Sequence, residues 1–180
     1  RNFSGQLKVE SCLDGDVKNQ DSNYDEKFWT AIDAVQHNDF ALLTVETKKT
    51  AFWVTSAMYT AIHQEGAVHT SSHFTQKDKY VAQQFQVQLK QEVPTTIYKY
   101  VVNLSSENYA KPQLAQTAIT TLQNVVAKGF KVMREEQANA WLEKWKNGDV
   151  IIEGDVAAQQ AIRFNIFQLH QTYTGEDARL

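Results

Sequence analysis

The sequence has little of several residue types, and each shortage excludes a class of protein. It contains one cysteine, Cys12, among 180 residues, so an intrachain disulfide is excluded and a zinc site built from cysteines is implausible. A single thiol fits a reducing compartment. Only two prolines and seven glycines are present, which leaves little room for long flexible linkers.

A strong charge of one sign and a long apolar run are also missing. The formal charge is -3 and the pI is near 6.0, so no basic field exists to bind nucleic acid. No apolar run approaches the roughly 20 residues of a membrane helix, and residues 1–5 lack the apolar region of a signal peptide. With 42% hydrophobic and 22% charged residues, the composition is that of a globular protein. We expect a soluble, cytoplasmic protein.

Alternation of apolar and polar residues predicts strands in the first part of the chain. In residues 84–90, Phe85, Val87 and Leu89 alternate with glutamines and a lysine, as in an antiparallel strand with one solvated face. Further strands are predicted over residues 5–13, 40–47, 52–62 and 97–104. A spacing of about ten residues between strands predicts an antiparallel sandwich rather than βαβ units.

Helical periodicity replaces this alternation at Pro112, which fits the first turn of a helix. Gly129 is predicted to end this first helix, and Asp155 to be the N-cap of a third. The inward residues are expected to be Leu114, Ala118, Leu122, Val125 and Val126 in the first helix, Ala138, Trp141, Leu142 and Trp145 in the second, and Ile162, Ile166, Leu169 and Tyr173 in the third. Phe164 and Phe167 widen the apolar surface of the third helix, which therefore predicts burial on more than one side.

The densest polar segment, residues 13–29, holds four aspartates, one glutamate and three aromatic residues. One interpretation is a sugar contact, because carboxylates accept hydrogen bonds from hydroxyl groups and aromatic rings pack on the apolar face of a pyranose. A second is a calcium site at Asp14 and Asp16, although the residues after Asp16 break the EF-hand order. The third is a solvated loop that closes a hairpin, with Phe28 and Trp29 in the core.

The remaining polar residues form no catalytic pattern. His69 and His73 are four residues apart, with His63 nearby, but their Ser/Thr-rich segment predicts exposed imidazoles in a hairpin loop rather than an HExxH helix. His170 is predicted to be a hydrogen-bonded packing residue and Cys12 a small core residue. Serine-elbow and phosphate-loop motifs are absent, and no pair of acids stands out. We therefore predict no catalytic residue and no metal ligand, and we assign no substrate-binding residue.

Two stretches of the sequence resemble the inverting disaccharide phosphorylases of the maltose phosphorylase family. The first is residues 13–29, LDGDVKNQDSNYDEKFW. The second is residues 154–170, GDVAAQQAIRFNIFQLH, followed by GEDARL at 175–180. Their order and separation also match, so the resemblance covers almost the whole chain, while residues 30–110 are more divergent.

The resemblance implies an α+β chain cut from a larger enzyme. Residues 1–110 would be the latter part of an antiparallel super-β-sandwich, residues 111–150 the linker helices, and residues 151–180 the first helix of an (α/α)6 barrel with the start of the next loop. Because the chain does not begin with methionine and ends in a loop-like segment, we expect a segment of a longer polypeptide. The implied barrel also accounts for the wide apolar surface of the third helix.

The resemblance further implies an enzyme, a glycosyltransferase that cleaves an α-glucosidic disaccharide with inorganic phosphate, with inversion, to β-glucose 1-phosphate and a sugar. A glutamate acts as general acid in that family, but neither it nor the phosphate-binding residues map onto these 180 residues, so the segment alone is predicted to be inactive. Phosphate is the co-substrate, no cofactor is implied, and the full chain is expected to be a homodimer. Two alternatives are a free-standing β-sandwich carbohydrate-binding module with a helical tail, and an interaction protein without a sugar role.

Overall fold

The computed structural model describes residues 3–18, 26–71 and 73–172. The chain divides into two compact units, Arg1–Phe130 and Lys131–Leu180. The elements in chain order are β1 (Gly5–Asp14), β2 (Trp29–His37), β3 (Phe40–Thr47), β4 (Trp53–Gln64), β5 (Ala67–His69), β6 (His73–Lys77), β7 (Tyr80–Leu89), β8 (Thr95–Ser105), a 3-10 turn (Lys111–Gln113), α1 (Leu114–Gly148) and α2 (Val156–Thr172).

Two antiparallel sheets form the first unit. The smaller sheet has the strand order β1-β7-β6. In the larger sheet, β2 pairs with β3, and the long strand β4 pairs with β3 and β5 along one edge and with β8 along the other. The antiparallel pairing confirms the prediction of an antiparallel sandwich.

The larger sheet is buried on both faces, which makes the first unit three layers thick. On one face, Leu43 and Met58 join Val81 of the smaller sheet in a core between the two sheets. On the other face, Leu42 packs against Leu122 and its neighbours at the start of α1. Adjacent residues of β3 therefore enter different cores, because successive side chains of a strand point to opposite faces.

The predicted strands are confirmed within a few residues of their ends. Phe85, Val87 and Leu89 are all buried, as the alternation in that segment predicts. Strand β2 escaped prediction because its register shifts between Ala31 and Asp33, and such a bulge interrupts the period of two.

The prediction that Cys12 is a core residue is wrong. Cys12 is only half-buried, whereas its neighbour Ser11 is buried. Leu7 and Val9 face the core of the sandwich, so the period of two turns residue 11 inward and residue 12 outward.

The helical predictions from local signals are confirmed. Pro112 lies in the 3-10 turn that leads into α1, and Leu114, Ala118 and Leu122 are fully buried. The backbone of α1 leaves helical geometry at Gly129 (φ 78°, ψ 159°), a conformation that favours glycine. Among the described residues, no helix has the length and the apolar character needed to cross a bilayer.

The second unit contains the last turns of α1 and the helix α2. The ring of Trp141 lies 4.9 Å from that of Phe167, and Asp149 accepts two hydrogen bonds from Arg163, at 2.9 and 2.5 Å. Asp155 caps α2 as predicted, because its Oδ1 accepts a hydrogen bond from the N–H of Ala158 at 2.9 Å.

The apolar faces of the second unit are largely uncovered. No residue of α2 is buried, and Phe164 and Leu169 are 60% and 68% exposed. In the predicted stripe of the second helix, Trp141 and Trp145 are half-buried but Leu142 is 56% exposed. Tyr173, predicted for the third stripe, lies outside the described residues.

Candidate functional site at the base of the connection between β1 and β2

The polar segment 13–29 connects β1 to β2, and the structure describes its two ends. Residues 19–25 lie outside the described residues, so the interpretations of their side chains stay predictions. The start of the connection contains Asp14, Gly15 and Asp16, and its end contains Lys27. We call these four residues, together with Lys79 of the turn between β6 and β7, the base of the connection.

The carboxylate of Asp16 lies between two lysines at this base. Its Oδ1 accepts a hydrogen bond from Lys79 Nζ at 2.5 Å, and its Oδ2 accepts one from Lys27 Nζ. The hydrogen bonds from Lys27 and Lys79 lower the pKa of Asp16 to about 2. Asp16 is therefore ionised at neutral pH and links three segments of the chain.

Gly15 brings the backbone close to the core at this point. Its N–H donates a hydrogen bond to the carbonyl of Lys79 at 2.8 Å. A Cβ at this position would lie 2.9 Å from Cγ1 of Val45 and 3.1 Å from Cδ2 of Leu43. A larger residue at position 15 would therefore force the side chains of Val45 and Leu43 to shift, because these contacts are shorter than van der Waals packing permits.

A small cavity of about 170 Å³ opens beside the base. It is lined by Leu13, Asp14, Gly15, Val17, Trp29, Leu43, Val45, Val54 and Ser56. Ligand sites usually measure about 300–1,000 Å³, so this cavity is too small to enclose a disaccharide. Trp29 and Phe28 are half-buried, and Trp29 packs against the core between the sheets. The prediction that Phe28 and Trp29 are core residues is therefore only partly confirmed, since both side chains are half-buried.

The base does not offer a cation site. Two ammonium groups already face the carboxylate of Asp16, and they would repel a calcium ion. In the part of the chain that the structure describes, no three His, Cys, Asp or Glu side chains lie together as metal ligands would.

The prediction that His63, His69 and His73 lie in a hairpin loop is wrong, because they lie in strands β4, β5 and β6. His63 and His69 belong to the larger sheet, where their partners are Val68 and Ile62, so the two histidines point to opposite faces. His73 is in the smaller sheet. His63 and His73 are exposed, as predicted, whereas His69 is half-buried. The ring of His63 contacts that of Tyr98 edge-on at 5.0 Å.

In the second unit, His170 is half-buried and its ring stands edge-on to that of Trp141, at 6.2 Å between centroids. This contact agrees with the predicted packing role.

Sequence reasoning missed a second polar cluster, on the outer face of the smaller sheet. The hydroxyl of Tyr80 donates to Glu10 at 2.6 Å, and the amide of Gln84 donates to the same carboxylate at 2.8 Å. These hydrogen bonds lower the pKa of Glu10, and the bond to Glu10 raises the pKa of Tyr80. No sequence signal reveals the cluster, because strand pairing joins residues more than 60 positions apart.

A third polar cluster ties the start of the helical region to the larger sheet. The indole N–H of Trp53 donates to Glu46 Oε1 at 2.9 Å, and Lys111 Nζ donates to the same oxygen at 3.3 Å. The ammonium group of Lys111 also lies 5.0 Å from the ring centroid of Trp53, a cation–π distance. We interpret this cluster as a structural contact, because the Glu46 carboxylate accepts the hydrogen bonds of both Trp53 and Lys111.

Residues 1–144 match the family described as Glycosyl hydrolase family 65, N-terminal domain. The chain belongs to this family. The predicted resemblance to the maltose phosphorylase family is therefore confirmed. The match spans both sheets of the sandwich and most of α1.

Relatives of this family 65 chain include two disaccharide phosphorylases. It is 38% identical over 173 residues to maltose phosphorylase of Bacillus subtilis (strain 168), covering 93% of the chain and 22% of the relative. It is 28% identical over 188 residues to α,α-trehalose phosphorylase of Thermoanaerobacter brockii, covering 99% of the chain and 24% of the relative. The chain thus spans less than a quarter of the length of these relatives.

A solved structure shares the fold of this family 65 chain. The structure is that of a putative kojibiose phosphorylase from the human microbiome, which superposes with a TM-score of 0.85 at 23% identity. The superposition covers 98% of this chain and 22% of the other.

Proposed function

We propose that this chain is a non-catalytic segment of a disaccharide phosphorylase that resembles maltose phosphorylase. The complete enzyme would cleave an α-glucosidic disaccharide with inorganic phosphate, with inversion, to β-glucose 1-phosphate and a sugar. The observation that carries this proposal is the family 65 match over residues 1–144, with similarity to maltose phosphorylase and α,α-trehalose phosphorylase along nearly the whole chain. The proposal includes a cytoplasmic homodimer that uses no cofactor besides the phosphate co-substrate.

Three carboxyl groups among the described residues are unsuited to general acid catalysis. A general acid at neutral pH needs a raised pKa. The pKa values of Asp16, Glu10 and Asp149 are lowered instead, because each carboxylate accepts hydrogen bonds from neighbouring donors. These three acids are therefore suited to holding segments together and unsuited to protonating a leaving group.

The exposed apolar residues support the proposed place of the chain in a larger molecule. We propose that residues 151–180 begin the (α/α)6 barrel and that residues 111–150 link it to the sandwich of residues 1–110. Phe164 and Leu169 of α2 are mostly exposed, and an inner barrel helix would cover such residues with its neighbours. The relatives have the additional length that a barrel requires.

The proposal is tested on the full-length gene product. Purified protein is incubated with phosphate and, in separate reactions, maltose, trehalose, trehalose 6-phosphate, kojibiose or nigerose, and NMR identifies the anomer of glucose 1-phosphate released. We expect the β anomer from one of the five and no release by the 180-residue chain. Absence of phosphorolysis by the full-length protein contradicts the proposed activity, and release by the 180-residue chain contradicts the non-catalytic role.

Calorimetry with maltose and the 180-residue chain addresses the carbohydrate-binding alternative. We expect no saturable binding, because the proposal places the sugar site in the barrel of the complete enzyme rather than in this chain. Saturable binding would favour a free-standing module.

A further inference from the structure

The strands of the two sheets face one another, but β8 has no counterpart in the smaller sheet. Strand β6 contacts β2, β7 contacts β3, and β1 contacts β4. The larger sheet then continues with β8, which pairs with β4. Among the described residues, β1 pairs with β7 alone, so the smaller sheet ends one strand before the larger one.

Burial of the core decreases towards this side of the sandwich. Ile62 and Met58 of β4 are fully buried between the sheets, whereas Val9 of β1 is only half-buried. Ile97 and Val101 of β8 are the cross-strand partners of Ile62 and Met58, and such partners lie on the same face of a sheet. Ile97 and Val101 are nevertheless 48% and 41% exposed. In the described part of the chain, no strand of the smaller sheet covers them.

Lys99 lies between these two residues on the same face of β8 and reaches the edge of β1. Its Nζ donates a hydrogen bond to the carbonyl of Cys12 at 2.7 Å. Alternate N–H and C=O groups of a strand point to each edge, so a ten-residue strand directs several of them away from β7. One lysine does not satisfy all of these groups. We call Ile97, Lys99 and Val101, together with this side of β1, the open edge.

A cavity of about 340 Å³ continues the open edge near the start of β1. It is lined by Leu7, Leu89, Val93, Pro94, Thr95 and Ile97. The lining joins a residue of β1 to a residue of β8 and is apolar at most positions. Apolar side chains of an additional strand fit such a space, because protein interiors are close-packed.

We propose that the open edge receives an antiparallel strand from the polypeptide that directly precedes Arg1 in the complete enzyme. The relatives are more than four times as long as the segment that they share with this chain, so they have the length for further strands. The segment before Arg1 is also attached to the start of β1, and consecutive strands joined by a short turn are usually neighbours. This inference rests on the proposed function, because only a longer enzyme contains such a segment.

The open edge also specifies the chemistry of the added strand. Hydrogen bonds between main-chain groups of the two strands provide the pairing with β1. Side chains two residues apart point to the same face, so apolar residues at two positions of the strand cover Ile97 and Val101. An acidic or amide side chain between them accepts a hydrogen bond from Lys99.

Residue-resolved hydrogen exchange of the full-length enzyme tests the pairing without any variant. If a strand is added, all amides of residues 6–12 are protected to a similar degree. If the edge is free, alternate amides of this range exchange at least about ten-fold faster than their neighbours. Such alternation overturns the inference.

A photo-activatable side chain identifies the strand. Val101→p-benzoylphenylalanine is introduced into the full-length enzyme, unlabelled and isotope-labelled protein are mixed, and mass spectrometry identifies the cross-linked peptide. We expect a peptide that precedes Arg1 in the same chain. A peptide from elsewhere in the enzyme, a peptide from a second copy, or no cross-link overturns the inference. The matched control is the same replacement at Val68, a 52% exposed valine of β5, which should not capture that peptide.

A charge at the open edge provides a second variant. Val101→Asp places a carboxylate beneath the added strand, where it loses water without a partner, and should accelerate exchange of residues 6–12 by about ten-fold or more. Val68→Asp should leave this exchange unchanged, and equal rates in the two variants overturn the inference. A wild-type enzyme that phosphorolyses none of the five disaccharides defeats the proposed function. An active enzyme in which the edge of β1 is free defeats the inference alone.

Discussion

The two units of this chain contrast in what covers their apolar residues. In the first unit, Phe85 and Leu122 are fully buried, and β3 contributes adjacent residues to two separate cores. In the second unit, α2 buries none of its residues although it carries large apolar side chains such as Phe164 and Leu169. Apolar sequence alone therefore does not produce burial; each apolar face also needs a partner, and the first unit contains most of its partners within this chain.

The largest expected effect is a difference in unfolding free energy when a phenylalanine is replaced by alanine in each of the two units. Phe85→Ala, in the fully buried core, should lower the free energy of unfolding by about 3–5 kcal/mol. Phe164→Ala, at a side chain that is 60% exposed, should change it by less than about 1 kcal/mol. Urea unfolding of the 180-residue chain measures both. Equal losses would show that α2 has a core partner within this chain.

Hydrogen exchange sharpens the contrast between the helices. In the 180-residue chain, amides of residues 162–169 in α2 should exchange rapidly, whereas those of residues 118–122 in α1 should be protected. In the full-length protein both helices should be protected. Strong protection of residues 162–169 in a monomeric 180-residue chain would count against the barrel assignment.

Two half-buried tryptophans provide an intermediate test. Trp29 packs on the core between the sheets and Trp145 packs on Trp141. Trp29→Ala should cost about 1–3 kcal/mol of unfolding free energy. Trp145→Ala should cost less, because its neighbour Trp141 is itself only half-buried, whereas Trp29 packs on buried core residues. A loss below about 1 kcal/mol for Trp29→Ala would indicate that the indole is a surface contact residue.

The smallest expected effect is the pH dependence of the stability that Asp16 contributes. The pKa of Asp16 is lowered from 3.8 to about 2 in the folded protein by hydrogen bonds from Lys27 and Lys79. The ionised Asp16 therefore contributes fully to stability above the pKa that it has in the unfolded chain. This contribution is lost as the pH falls through its lower pKa in the folded protein. The stability difference between wild type and Asp16→Asn should be constant above about pH 5 and shrink between about pH 4 and 2.

The contribution of Asp149, in the second unit, to stability should also be lost on acidification. The hydrogen bonds from Arg163 lower the pKa of Asp149, so Asp149→Asn also removes a contribution that disappears on acidification. Acid titration of unfolding for both variants provides the comparison. If the stability difference between wild type and either variant grows as the pH falls, the predicted direction is wrong for that residue.

Local signals in the sequence predicted much of the secondary structure. Alternation in residues 84–90 predicted β7, and Pro112, Gly129 and Asp155 marked helix boundaries that the structure confirms. These features depend on the backbone preferences of a few neighbouring residues. The candidate site was predictable only as a segment, residues 13–29, because its polar composition is visible but its contacts are not.

The sequence by itself determined where most of the strands and the helices form, because periodicity and capping act over a few residues. Only the tertiary structure decided that Asp16 meets Lys79, that Glu10 meets Tyr80, and that the larger sheet is buried on both faces. Each of these contacts joins residues far apart in the chain. They follow from strand register and from the packing of layers, which no local pattern of residues encodes.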